Sequence, residues 1–502
     1  MQRSSPGWTG SSRSSKTARG RFVHDGRCAS PKCHQKKRGT GNIPLFTGVR
    51  TIADPLTSEE IRAKVQALMP GVIDDLKALI RYPSVAFPGY PGEPVRGMAD
   101  ATVALLERYG LSGARLIDVP GGYPAVYGEI PAPPGMPTVL MYAHYDVQPA
   151  TKEDGWECDP WDPHEEGGRL YGRGSADDKS GIMLIAASLR TFEGKPPVGI
   201  KVLIEGEEET TSHIEALVTS RPDLFSCDAF IIEDNGNLSA GEPALTTSLR
   251  GEVSCIIEVS TLDHPVHSGM FGGAAPDALV ALIRCLATLH DTRGDVAVPG
   301  LQKGTGGGGD YPEQAYRESA GVLAGVDLTG TGLIGDRLWT CPSVTVIGID
   351  APSVQAAANI LIPRAAAKVS MRIAPDADPK HELALLVAHL RAAVPWNARV
   401  TVQEVSSSPG FVCPTGDLVY AAARTALAIA FGRPVLEKGT GGSIPLLRTL
   451  QDTVLHAGFV LWGAEDAAGS RIHGTNESVD VSDLERTIVA QALFLLLLAK
   501  KQ

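Results

Sequence analysis

Five strand-like segments of this chain each run into side chains that bind metal ions, and this repetition constrains the fold more than any other feature. They read VLMYAHYD, LYGRGSADD, VLIEGEEE, FIIED and, far downstream, SRIHGTNE. Loops at the carboxyl ends of parallel strands meet at one edge of a sheet. The pattern therefore predicts one cleft lined by His144, Asp146, Asp177, Asp178, Glu207, Glu208, Glu209, Asp234 and His473.

The first segment suggests how such a cleft is built. Strand side chains alternate between faces, so His144 and Asp146 point to the same side of an extended chain. A carboxylate that accepts the proton of one imidazole nitrogen leaves the other nitrogen free for a metal ion. A histidine that is simply satisfied at the end of a strand is the alternative, and this segment alone does not separate the two.

Strands alternate with helices as far as residue 246, a pattern typical of an α/β layer with a mostly parallel central sheet flanked by helices. Sheet-like alternation from Leu245 onward predicts an inserted α+β domain over 247–407. The first domain is then discontinuous, with parts at 53–246 and 408–502. Within these domains we expect a first helix capped by Thr57 and Glu60 but kinked or interrupted at Pro70, and a short helix over Gln355–Asn359.

Charge separates the amino-terminal segment from the rest of the chain. Residues 1–50 carry eleven Lys and Arg against one acid, Asp25, within a chain of net charge −11. They have too little apolar patterning to fold, so 1–52 is predicted to be a disordered basic tail. It is a basic tail, a transit-like segment or the product of an early start codon, and an inert tail or start-codon artefact is favoured over targeting.

Composition excludes several partners for the folded part. Its acidic balance argues against nucleic acid, and its longest apolar run, Ala492–Ala499, is far shorter than a membrane span. Eight scattered cysteines form no framework, which is typical of free thiols in a reducing compartment. We therefore expect a cytoplasmic protein with no membrane partner.

Taken together, the motifs YAHYDVQP, GRGSADDKSG, EGEEETTS, EDN, HSGMFGG, NILIPR, GGSIP and IHGTNE resemble the M20 family of metallopeptidases, over residues 55–500. The similarity is strongest to the dipeptidase branch, the cytosolic non-specific dipeptidases and carnosinase-like proteins. The resemblance implies that the discontinuous domain is catalytic and that 247–407 is a lid and dimerisation domain of a homodimer.

The resemblance also assigns roles to the strand-end residues. It implies that Asp177 bridges two divalent ions, one completed by His144 and Asp234 and the other by Glu209 and His473. Zn²⁺ is the expected metal, with Mn²⁺ or Co²⁺ as alternatives. Glu208 would be the general base and Asp146 would orient His144. The peptide bond between Asp177 and Asp178 is expected to be cis.

A second set of residues is implied for the substrate. His267 would reach the active site of the partner subunit and stabilise the oxyanion. Asn359 and Arg364 would hold the substrate, with Arg364 on its terminal carboxylate. The pocket would be lined by Gly441, Gly442 and Ser443.

These roles predict an enzyme that hydrolyses the amide bond of dipeptides or similar short substrates with a metal-activated water. An aminoacylase or deacylase of the same family, acting on N-acyl amino acids, is the alternative, because both would use the same metal core. A catalytically inactive, peptide-binding relative would have lost a ligand or the base, and none is lost here.

Overall fold

The computed structural model describes residues 56–304 and 311–500 of the 502-residue chain. The helices are α1 (Ser58–Ile80), α2 (Glu93–Tyr109), α3 (Lys179–Thr191), α4 (Ile214–Ser220), α5 (Pro222–Phe225), α6 (Ser268–Phe271), α7 (Ala278–Leu286), α8 (Glu313–Ser319), α9 (Ile334–Trp339), α10 (Pro379–Ala393), α11 (Leu418–Phe431), α12 (Pro445–Thr453) and α13 (Val481–Ala499).

The strands are β1 (Arg115–Ile117), β2 (Ala125–Ile130), β3 (Thr138–His144), β4 (His164–Glu166), β5 (Arg169–Tyr171), β6 (Gly199–Glu205), β7 (Ala229–Ile232), β8 (Gly236–Asn237), β9 (Ala244–Leu249), β10 (Gly251–Ser260), β11 (Val266–His267), β12 (Ser343–Asp350), β13 (Ile360–Leu361), β14 (Arg364–Ile373), β15 (Arg399–Ser408), β16 (Phe411–Val412), β17 (Leu436–Thr440), β18 (Gly458–Leu461), β19 (Glu465–Asp466) and β20 (Ser478–Asp480).

The central sheet has six strands in the order β1-β2-β6-β3-β7-β18. Strands β6, β3, β7 and β18 run parallel, and at one edge β2 pairs antiparallel with β6 and β1 pairs antiparallel with β2. The run Val139–Ala143 in β3 is fully buried, as expected for a central parallel strand that is covered on both faces. Helices α1, α3 and α13 pack on one another beside this sheet, and α3 contacts β3.

Helix α1 begins at a complete capping box, as predicted. The Thr57 side chain accepts from the Glu60 amide at 3.2 Å, and the Glu60 carboxylate accepts from the Thr57 amide at 2.8 Å. The helix then continues through Pro70 to Ile80. The expected interruption at Pro70 is therefore wrong, because buried residues on either side, including Met69 and Val72, hold the helix against the core.

A second sheet has four antiparallel strands in the order β12-β14-β10-β15. Helices α7 and α10 pack against it, and its buried residues form a hydrophobic core separate from that of the central sheet. The predicted fold class, an α/β layer joined to an α+β unit, is confirmed. Both sheets belong to one compact unit, Pro55–Gln502, so the domain bounds 53–246, 247–407 and 408–502 stay a prediction.

One short element differs from the prediction. The segment expected to be a helix over Gln355–Asn359 forms only a 3-10 turn, Val354–Ala356. The chain then extends, because Ile360 and Leu361 pair with His267 and Val266. The two paired segments are far apart in the sequence, and their pairing outweighs the helix propensity of the alanines within Gln355–Asn359.

The basic tail predicted over 1–52 lies outside the described residues. Among residues 56–304 and 311–500, no helix combines the length and apolar character that crossing a bilayer requires.

Candidate metal centre and active site

Three neighbouring parallel strands of the central sheet end at the same edge and carry most of the predicted ligands. Strand β3 ends at His144, β6 leads into Glu205–Glu209, and β7 leads into Asp234. Asp177 lies two residues before α3, and His473 lies in the loop between β19 and β20 with φ +60°. The prediction of converging strand ends is thus realised in the backbone topology.

His144, Asp177 and Asp234 form the first ligand group. Each offers one ligand atom, and the three atoms lie within 4.8 Å of one another. His144 Nε2 is 3.0 Å from Asp177 Oδ1. Both of these side chains are at most 7% exposed, whereas Asp234 is half-buried.

Asp177, Glu209 and His473 form the second ligand group, with the same 4.8 Å limit. His473 Nε2 lies 3.1 Å from Asp177 Oδ2 and 3.0 Å from Glu209 Oε2. Asp177 therefore belongs to both groups and presents a different carboxylate oxygen to each histidine. A carboxylate shared in this way is what a pair of bridged cations requires.

Asp146 holds both the first histidine and the loop that carries the glutamates. His144 Nδ1 is 3.1 Å from the Asp146 carbonyl oxygen and 3.4 Å from its carboxylate. Donation from Nδ1 leaves Nε2 as the free acceptor, as a metal ligand must be. The Asp146 carboxylate also accepts from the amides of Glu208 and Glu209, at 3.0 and 3.1 Å.

The three consecutive glutamates have three different environments. Glu207 turns away and pairs with His213 at 3.0 Å. Glu209 lies in the second ligand group and accepts from Gln148 Nε2 at 2.7 Å. Glu208 is half-buried, and its carboxylate makes no hydrogen bond within the described residues.

Glu477, which the sequence reasoning left without a role, holds the Asp177 loop. Its carboxylate accepts from Arg173 at 2.6 Å and from three backbone amides, those of Gly174, Ala176 and Asp177, at 3.0 to 3.1 Å. Both Glu477 and Arg173 are buried. An acid four residues after His473, in a motif already recognised, was the available signal.

The backbone beside Asp177 is also held from the other side. The Asp177–Asp178 peptide bond is cis, as the resemblance implies. Asp178 accepts from the amides of Gly181, at 3.1 Å, and His144, at 3.2 Å. It therefore caps α3 and links that helix to the end of β3.

The electrostatics of the cluster suit divalent cations. Burial raises the pKa of Glu208 to about 8, with repulsion from Glu209 and Asp177 adding to it. Burial likewise raises the pKa of Asp234 well above its usual range. Burial opposes the shift at Asp177, but hydrogen bonds with His144 and His473 bring the pKa of that carboxyl below its ordinary value.

Burial thus favours the protonated form of Asp234. A divalent ion would displace that proton on binding. A donor set of two imidazoles and three carboxylates, with no sulfur, suits Zn²⁺ or Mn²⁺ better than Ca²⁺ or Mg²⁺. The residues present thus fit a metal centre.

The predicted substrate residues lie elsewhere. His267 and Asn359 are exposed neighbours at the short pair β11–β13, where the Ser268 amide donates to the Asn359 carbonyl at 2.9 Å. His267 Nδ1 accepts from the Gly269 amide at 3.0 Å. Within residues 56–304 and 311–500, no hydrogen bond or ion pair joins His267 or Asn359 to either ligand group.

Strand β14 separates two arginines that have different surroundings. Arg364 is exposed at its first position, whereas Arg372, near its end, donates to Ser443 Oγ at 3.1 Å. Eight residues of strand span about 26 Å. In the predicted loop Gly441–Ser443, Ser443 therefore contacts Arg372 and not Arg364. Arg372 was not among the residues predicted from the sequence.

Together, the α/β fold and the two ligand groups form a candidate metal centre of the kind that metal-dependent hydrolases use. Residues 140–497 match the sequence model of peptidase family M20/M25/M40, and the chain belongs to that family. The predicted resemblance to the M20 dipeptidase branch is confirmed, and the protein is a hydrolase.

Individual relatives agree with this membership. A cysteinylglycine-S-conjugate dipeptidase of Corynebacterium striatum is 40% identical over 374 residues, 72% of this chain and 82% of that protein. A Beta-Ala-His dipeptidase of Rattus norvegicus is 32% identical over 378 residues, 71% of this chain and 76% of that protein. The crystal structure of human carnosine dipeptidase 1 has a TM-score of 0.74 at 26% identity, covering 89% of this chain and 100% of that one.

Proposed function

We propose that this chain is a dipeptidase with two divalent metal ions, which hydrolyses the amide bond of small unblocked dipeptides. The observation that carries the proposal is Asp177, whose two carboxylate oxygens face two separate histidines. Relatives named as dipeptidases for Cys-Gly conjugates and for Beta-Ala-His support this substrate class. An acylase acting on N-acyl amino acids is not favoured, because both of these relatives are named as dipeptidases.

Two ions would be held by the two ligand groups, His144, Asp177 and Asp234 in one and Asp177, Glu209 and His473 in the other. Zn²⁺ is the ion we expect, with Mn²⁺ or Co²⁺ as alternatives. When bound, such ions polarise the scissile carbonyl and lower the pKa of water from about 15.7 towards 7. Asp146 serves both groups by fixing the His144 ring and the backbone beside Glu209.

Glu208 is proposed as the general base. It lies between Glu207, which pairs with His213, and Glu209, which belongs to the second ligand group. The carboxylate of Glu208 makes no hydrogen bond within the described residues. It would accept the proton of the attacking water and pass it to the leaving amine. Such proton transfer contributes about 10²–10⁴-fold to the rate.

His267 and Asn359 are proposed to act on the substrate held by the partner subunit of a homodimer. Their exposure and their separation from the ligand groups of the same chain support action across an interface. An imidazole donor at the oxyanion would supply about 3–4 kcal/mol.

The carboxylate of the substrate needs a cationic partner. Arg364 was proposed for it, and the contact with Ser443 makes Arg372 a second candidate. An arginine fork suits a carboxylate because it donates two parallel hydrogen bonds. Arg364 lies beside His267 and Asn359, which we propose to act on the partner's substrate. In one active site, Arg364 would therefore come from the partner subunit and Arg372 from the subunit that holds the metal ions.

We also propose that 247–407 is the lid and dimerisation domain, between catalytic parts 53–246 and 408–502. Its own sheet and hydrophobic core support that division. The cytoplasm is the proposed location, supported by the free thiols of Cys158, Cys227, Cys255, Cys285, Cys341 and Cys413.

The test is a turnover comparison together with elemental analysis. Purified protein is loaded with Zn²⁺, Mn²⁺ or Co²⁺, and hydrolysis of Cys-Gly is compared with hydrolysis of N-acetylcysteine. We expect about two metal ions per chain and faster hydrolysis of Cys-Gly. Faster hydrolysis of N-acetylcysteine would reverse the assignment, and no hydrolysis of either by fully loaded protein would end it.

A further inference from the structure

Glu465 is a carboxylate beside the ligand groups for which the proposed chemistry has no role. Strand β18 runs parallel to β7, and the chain after it forms β19, in which Glu465 pairs with Gly236. Gly236 lies two residues after Asp234. Glu465 therefore follows the end of β18 much as Asp234 follows the end of β7, at the same edge of the sheet.

The backbone around Glu465 is closely packed. A Cβ added at Gly236 would overlap the backbone and the Cγ of Glu465, and a Cβ added at Gly463 would overlap the carbonyls of Glu233 and Asn235. This close approach holds the segment against the loop that carries Asp234. The position of Glu465 is therefore fixed by main-chain packing.

Nearly every other carboxylate around the cluster already has a hydrogen-bond partner. Asp146, Asp178 and Glu477 accept from backbone amides, whereas Glu205, Glu207, Glu233 and Asp466 accept from Tyr142, His213, Trp462 and Arg169 respectively. Among the carboxylates around the cluster that lie outside the two ligand groups, Glu208 and Glu465 are the two that make no side-chain hydrogen bond within the described residues. Glu208 is the proposed base, which leaves Glu465 available to a ligand.

Lys438 is a second charged side chain near Glu465 that has no direct partner. It is 7% exposed, and its ammonium has no hydrogen bond or ion pair within 4.0 Å in the part of the chain that the structure describes. Burial lowers the pKa of Lys438, and Glu465 is the charge that opposes this shift. Lys438 and the half-buried Glu465 are therefore opposite charges that influence each other without forming an ion pair within 4.0 Å.

The chemistry of a dipeptide places its amine close to the metal centre. Bond lengths of about 1.46 Å for N–Cα and 1.52 Å for Cα–C put the α-nitrogen within about 2.5 Å of the scissile carbonyl carbon. The group that binds this amine must therefore lie beside the ligand groups. Asp177 is near enough to add to the effect of burial in raising the pKa of Glu465, to about 7.

We propose that Glu465 binds the free α-ammonium group of the first residue of the dipeptide. This inference rests on the proposed function and deepens it, because it makes an unblocked amino terminus the feature that the site recognises. A hydrogen bond between an ammonium and a carboxylate is charge-assisted and about twice as strong as a neutral one. An acylated amine carries no charge and would lose that bond.

The test compares Glu465→Gln with the unaltered protein on Ala-Gly and N-acetyl-Ala-Gly, both with metal-loaded enzyme. Losing a hydrogen bond to a charged group should raise KM for Ala-Gly about 10- to 100-fold, with kcat changed less and KM for the acetylated peptide unchanged. Glu465→Asp, which keeps the charge, should give an intermediate KM. Glu437→Gln, at an exposed carboxylate on β17, is the matched control and should change neither.

Calorimetric binding of Ala-Gly to Glu208→Ala protein, with and without Glu465→Gln, gives a readout that does not depend on turnover. We expect the same 10- to 100-fold weakening. Equal losses on the free and acetylated peptides, or no change in binding, would overturn the assignment of Glu465. Failure of the unaltered enzyme to cleave either peptide would instead refute the proposed function, and the calorimetry would still decide the role of Glu465.

Discussion

The metal centre and the predicted substrate residues contrast in how a single chain assembles them. Ligands from the ends of β3, β6 and β7 and from two loops form two groups that share Asp177, and within each group the ligand atoms lie within 4.8 Å of one another. His267, Asn359 and Arg364 remain exposed, and within the described residues none makes a hydrogen bond or ion pair with a ligand of that centre. The first set is positioned by the strand ends and loops of one chain, whereas we propose that the second acts on a substrate held by a partner subunit.

The largest effect is expected from removing the proposed general base, Glu208, from the metal centre. Glu208→Ala should lower kcat about 10²- to 10⁴-fold, because the attacking water loses its proton acceptor. Metal content, measured by elemental analysis, should stay at the unaltered level. Glu207→Ala is the matched control, since that neighbour pairs with His213, and it should keep most of the activity. A Glu208→Ala protein with near-normal kcat would remove Glu208 from its role.

The next effect tests whether the exposed region acts across an interface. His267→Ala should lower kcat about 10²- to 10³-fold, the range for loss of one oxyanion donor. Mixing it with Glu208→Ala protein should restore part of the activity, because a mixed dimer has one site with both groups intact. His264→Ala, exposed and three residues earlier, should be silent. No recovery despite proven subunit exchange would contradict action across the interface.

A smaller effect is expected from the residue that supports the first histidine. Asp146→Asn should weaken metal affinity about 10- to 100-fold, because the ring and the amides of the glutamate loop lose their charged acceptor. Competition with a chelator measures this affinity directly. Asp452→Asn, at an exposed carboxylate paired with Arg448, serves as the control. Unchanged affinity in Asp146→Asn protein would show that the ring is positioned by the carbonyl alone.

The smallest effect separates the two arginines of β14. Replacing Arg372 with Lys should raise KM about 5- to 10-fold, because lysine cannot donate two parallel hydrogen bonds to a carboxylate. The same change at Arg364 should raise KM only if that residue reaches a partner's substrate. A rise in KM confined to Arg364→Lys would assign the substrate carboxylate to Arg364 alone. A rise in KM for both variants would support a site shared between subunits.

Sequence patterns predicted most of the central sheet because its strands are buried apolar runs. Strands β2, β3 and β6 all lie in the part of the chain, up to residue 246, where alternating strands and helices were predicted. The segment Gln355–Asn359 was predicted wrongly because local propensity cannot register its pairing with β11. Likewise, α1 continues through Pro70 because burial of the helix offsets one missing amide donor.

The candidate site was predictable wherever a ligand-type residue follows a recognisable strand. His144 and Asp234 are of this kind. Glu465 escaped notice because its position depends on the pairing of β19 with β8, two strands of two residues each. Arg372 was missed for a similar reason, since its contact with Ser443 joins segments that are distant in the sequence.

The hydrogen bonds that Glu477 accepts from the loop before α3 affect when the metal centre can form during synthesis. Glu477 is separated from Asp177 by 300 positions, yet it holds the amide of that residue. A nascent chain that has not yet released its last strand therefore has neither His473 nor the anchor for the shared carboxylate. We expect the pair of metal ions to be captured only after the carboxyl-terminal segment has left the ribosome. A chain truncated after β18 (Gly458–Leu461) but before residue 470 should therefore keep the strands of the central sheet and fail to hold the pair of ions.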